Sequence, residues 1–103
     1  MKKVIERVES GVVTLLIFPF DRLEPIEIVR GCFCLDKVMA ALVRLRYSQD
    51  RVEAILCNYI GSPKDAQFRK EFDELQAYRA QCKTEAASIV NAYNAYQDEQ
   101  KPQ

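Results

Sequence analysis

The chain contains no histidine, and that absence removes the commonest general base and the commonest metal ligand together. It has no charge excess either. Fifteen basic residues balance fifteen acidic ones, so no global positive field draws the chain to nucleic acid or to an anionic membrane. The longest apolar stretch, Val12 to Phe18, falls far short of the roughly 20 residues that a bilayer-spanning helix requires. Ser/Gly-rich linkers, long blocks of like charge and internal repeats of structural size are also missing. These absences exclude a membrane span and weigh against histidine-dependent catalysis.

What is present suits one folded domain. The chain has 103 residues, of which 49% are hydrophobic and 29% charged, the balance of an ordinary globular protein with a single core. Lys2 and Lys3 ahead of an apolar run have the charge of a signal peptide's start, but Glu6, Arg7 and Glu9 interrupt that run. No cleaved leader is expected. Four cysteines without a secretion signal then fit reduced thiols, and the expected location is cytoplasmic.

The pattern along the chain predicts an α+β fold, with strands first and helices after. β-Branched residues over Lys3–Glu9 and Val12–Phe18, separated by Ser10-Gly11, predict a hairpin in which Gly11 supplies a positive φ. Val4, Glu6 and Val8 share one face of the first strand; Ile5, Arg7 and Glu9 share the other. Pro19 to Pro25 reads as a connecting loop, and Ile26–Phe33 as a third strand. From Leu35 the period lengthens to that of a helix, with Leu35, Val38, Met39, Leu42 and Val43 on its inner face. Ser48 caps a second helix, buried through Val52, Ile55, Leu56, Tyr59 and Ile60 and stopped at Gly61. Ser62 at the cap, Pro63 at the first helical position and Asp65 in the first turn predict the start of a long amphipathic helix. The expected domain runs over 1–97, with strands in 1–33, two short helices in 35–60 and the long helix in 63–97. Residues 98–103 read as a disordered tail.

Within the long helix, Phe68, Phe72, Leu75, Arg79, Cys82, Ala86, Ile89, Tyr93 and Tyr96 recur at alternating spacings of four and three, which makes a heptad seam. Such a helix would be about 50 Å long, against a radius of gyration near 13 Å for a compact domain of this size. The two shorter helices cover only part of that length. The far part of the seam is therefore expected to face water in a lone chain, and the nine residues are expected to form an interface in a homo-oligomer or with a partner helix. Arg79 breaks the apolar register, and its head is expected to reach solvent past its packed stem.

Three further patterns carry candidate chemistry. Cys32-Phe33-Cys34 with Cys57 and Cys82 supplies the four thiols of a structural zinc site, but their spacing matches no ribbon or finger, and reduced cysteine commonly packs as a small apolar group. Cys34 precedes a helix whose macrodipole would favour a thiolate, with no histidine to activate it. Arg44, Arg46 and Arg51 cluster near the turn of the helix pair 35–60 and are the candidate nucleic-acid contacts, although Asp50 and Glu53 beside them repel phosphate.

The stretch from Leu42 to Ser48, followed by Val52 and Ile55-Leu56, resembles the first two helices of ubiquitin-associated-type three-helix domains. Those domains carry a glycine where this chain has Arg46, and their third helix is short, so their binding function is not carried over. The expected function is that of a non-enzymatic interaction or assembly module, with nucleic-acid binding as the alternative and a cysteine-based metal or redox protein third. No catalytic residue, metal or cofactor is assigned.

Overall fold

A computed structural model of the chain describes the backbone of residues 4–100 and the side chains of 4–97. The tail expected over 98–103 and the lysines at 2 and 3 lie outside the fully described residues. The fold is α+β: three antiparallel strands in the order β1-β2-β3, then three helices, the last of them long.

β1 (Val4–Glu9) and β2 (Val12–Ile17) form the expected hairpin. Its two-residue turn places both Ser10 (φ 51°) and Gly11 (φ 79°) in the left-handed region, the geometry that matches the twist of the strands it joins. β3 (Ile26–Val29) is shorter than the expected 26–33, because a tight helical turn over Arg30–Cys32 redirects the chain. Beyond that turn Phe33 packs on the Tyr93 ring, with centroids 5.0 Å apart and the ring planes at 69°.

Register decides which sheet face is covered. Val4 lies opposite Ile17 and Glu6 opposite Leu15, and Ile17 and Leu15 are both fully buried. The Val4, Glu6, Val8 face is therefore the inner one. On the outer face Arg7 of β1 reaches across β2 to Glu27 of β3, at 2.5 Å.

α1 (Leu35–Arg44) buries Val38, Leu42 and Val43; α2 (Gln49–Gly61) buries Ile55. The Ser48 hydroxyl accepts the Arg51 N–H at 3.0 Å, as its expected capping role requires. α3 (Ala66–Gln100) starts three residues later than the sequence suggested. Asp65 is the cap: its carboxylate accepts the N–H groups of Gln67 at 2.9 Å and Phe68 at 3.1 Å. Ser62 instead closes a turn through its carbonyl, which accepts the Asp65 N–H at 3.0 Å. A carboxylate that satisfies two orphan N–H groups and complements the helix dipole outcompetes a hydroxyl earlier in the chain. Asp65→Ala is expected to cost about 1 kcal/mol and to lower the melting temperature by roughly 5 °C in a circular-dichroism melt.

With 35 residues at the helical rise, α3 spans about 52 Å and sets the long dimension of a molecule measuring 58 × 25 × 23 Å. The other elements line up along it. α2 and the C-terminal end of α1 meet its first half through Tyr59 on Phe72 and Leu42 beneath Tyr78. The sheet joins the same core toward its second half, where Ile89 is fully buried and the Tyr93 hydroxyl donates to Glu6 of β1 at 2.8 Å. This corrects the expectation that the far seam faces water. The sheet contributes Leu15 and Ile17 to the same core as Ile89 and Tyr93, so helices and sheet share one core.

Candidate functional site

The seam is largely consumed by folding. Leu75, Cys82, Ala86, Ile89 and Tyr93 are buried within the single chain, and Phe68, Phe72 and Tyr96 are half-buried. Phe72 stacks on Tyr59 of α2 at 4.1 Å, with the ring planes 7° apart. Arg79 alone of the nine is exposed, and it forms no ion pair among the described residues.

Tyr78, on the flank of the seam, ties α3 to α1. Its hydroxyl donates to the Leu42 carbonyl at 2.7 Å, and burial pushes its pKa up from 10.0 to about 12. The neutral phenol is the form the fold stabilises. Its contribution is complete below the unfolded value near pH 10 and is lost as pH rises toward 12, an effect of order 2–3 kcal/mol. Urea unfolding at a series of alkaline pH values is expected to show that loss in the wild type, and a shallower decline in Tyr78→Phe.

Burial also raises the Cys82 thiol, which makes it a poor nucleophile at neutral pH. Tyr93 is raised too, first by burial and then by the Glu6 carboxylate it donates to. The other three cysteines are exposed, and no group of three metal-ligating side chains occurs among the described residues.

The three arginines near the helix turn are each engaged within the chain. Arg44 donates to the Gln49 side chain, and Arg46 lies 5.3 Å from the Tyr78 ring and 5.6 Å from the Tyr47 ring. Arg51 pairs with Glu71 of α3 at 3.5 Å. The turn thus fastens α1 and α2 to α3, with the guanidinium groups spread over different partners.

A groove opens beside this turn, with a volume of about 320 Å³. α1 lines it with Met39, Ala40 and Val43, and α2 with Val52 and Leu56. Its charged rim is Asp36 and Arg44 of α1 and Arg79 of α3. The spacing of Asp36, Met39, Ala40, Val43 and Arg44 is that of one helical stripe, and Val52 and Leu56 are one turn apart. Sequence periodicity assigned Met39, Val43, Val52 and Leu56 to buried faces; Val43 is buried, while the other three are only half-buried and leave an edge open. A second, shallower depression of about 720 Å³ is bordered by Phe20 and Asp21 on one side and by Ala80, Gln81, Thr84 and Glu85 of α3 on the other.

The class defined by these features is an α+β domain built on a helical spine, with an apolar groove between its helices. No protein-family model matches the chain, and no curated protein or solved structure matches it.

Proposed function

We propose that the chain is a non-enzymatic interaction module that holds a helix of a partner protein in the groove between α1, α2 and α3. The observation that carries this reading is the groove itself: two apolar stripes converge on an open channel, and an amphipathic helix buries its apolar face in such a channel. The long helix takes part through Arg79 at the rim, while most of its seam serves the chain's own core. Because that apolar stripe is occupied inside the chain, a foreign helix suits the groove better than a second copy does.

The buried ionisable groups serve the core. Burial raises the pKa of Tyr78, Cys82 and Tyr93 and favours their neutral forms. The exposed thiols of Cys32, Cys34 and Cys57 suit a reducing cytoplasm.

The test is a selection from a displayed library of amphipathic helical peptides, followed by titration of the winner into isotope-labelled protein. Amide shifts are expected to gather at Met39, Ala40, Val43, Val52 and Leu56. Ala40→Glu, a change at an exposed position, is expected to abolish binding with little change in melting temperature. Shifts confined to another surface, or a library with no binders, would overturn the reading.

A further inference from the structure

We infer that the helix held in this groove carries an acidic residue beside its apolar stripe, read by Arg44 and Arg79, and that the placement of charge on the rim fixes the direction in which the helix lies. The inference rests on the proposed function and adds the chemistry and orientation of the partner.

The rim is not symmetric. The Tyr78 hydroxyl bonds to the Leu42 carbonyl near the C-terminal end of α1, the end that carries Arg44, and Arg79 is the residue that follows Tyr78 on α3. Two guanidinium groups therefore share one end of the groove. Asp36 borders it two helical turns away, about 12 Å along α1. The basic end outweighs the acidic one by one charge.

Among the described residues, neither arginine forms an ion pair. Arg44 donates to the uncharged amide of Gln49, which in turn donates to Glu53 at 3.1 Å. Arg51, by contrast, is paired with Glu71. A guanidinium beside an apolar floor can lay its stem on that floor and offer a planar fork to a carboxylate, a geometry that discriminates by charge and by position. An acidic residue facing Arg44 and Arg79, with a neutral or basic residue about two turns away facing Asp36, matches the rim in one direction of the helix. The reversed helix sets its acid against Asp36, and like charges in contact oppose that pose.

The experiment selects helical peptides with a fixed leucine stripe and randomised flanking positions, once against the wild type and once against the Arg44→Glu/Arg79→Glu double variant. Both substitutions are at exposed positions, and a thermal melt of each protein confirms folding before selection. The wild type is expected to enrich Asp or Glu at one end of the stripe, and the double variant Lys or Arg at the same end. The best wild-type peptide is expected to lose at least about tenfold in affinity on the double variant and to regain it when its acid is changed to Lys. A spin label on one end of that peptide is expected to broaden signals near Arg44 or near Asp36, but not both. Equal affinity for both proteins, or broadening at both ends, would overturn the charge-reading inference while leaving the groove as a binding site. A wild-type selection that enriches nothing would overturn both.

Discussion

A chain ended after Thr84 is expected to lose its cooperative unfolding transition altogether. Truncation there removes Ala86, Ile89 and Tyr93, three of the buried residues of the core, and strips the cover from Leu15 and Ile17 on the inner face of the sheet. Burying one large apolar side chain contributes about 1.5–3 kcal/mol, and a domain of this kind is stable by only about 5–15 kcal/mol in all, so losing both sides of the contact exhausts the margin. The Glu6 carboxylate also loses Tyr93 and Gln97, which donate to it at 2.8 and 3.0 Å. A circular-dichroism melt should show a broad, non-cooperative change in place of a sigmoid. The outcome separates two roles for the second half of α3. If that half were only an interface between chains, the truncated protein would remain a folded monomer with a sharp melt.

The second large effect is expected from a single side chain at the other end of the core. Leu75 is fully buried where α3 passes α1 and α2, and Leu75→Ala is expected to cost about 2–5 kcal/mol through lost transfer energy and the cavity left behind. Leu23, 95% exposed in the loop between β2 and β3, provides the control. Leu23→Ala is expected to change stability by less than about 0.5 kcal/mol. Urea titrations of the two variants should differ in midpoint and agree in slope. A Leu75→Ala midpoint equal to that of wild type would mean the spine does not anchor the two short helices.

The α+β order was legible because its signals are local. Ser10-Gly11 marks a hairpin turn by its need for positive φ, and Ser48 marks a helix start by its hydroxyl. The start of α3 was less so, since Ser62, Pro63 and Asp65 all suit a helix entrance and only the bonds made by the Asp65 carboxylate choose among them. The turn that ends β3 is followed by a contact between Phe33 and Tyr93, a partner that no window around Val29 contains. Periodicity in α3 identified a face to be buried and was silent on what buries it. A seam between chains and a seam beneath the chain's own sheet have the same heptad pattern. The groove was hidden for a related reason: Val52 and Leu56 look like core, and the packing of α1, α2 and α3 leaves their edge open.

The bond between Glu6 and Tyr93 joins residues 87 apart in the chain. During synthesis the first strand leaves the ribosome well before the helix that must cover it. At about 5–20 residues per second that interval is roughly 4 to 17 s, during which the hairpin's apolar face has no lasting cover. The helical half, whose contacts are made earlier, can assemble in the meantime. Slow translation past Ile89 would therefore lengthen the life of an aggregation-prone hairpin, and a chaperone that shields strands would act on this chain before its last turns emerge.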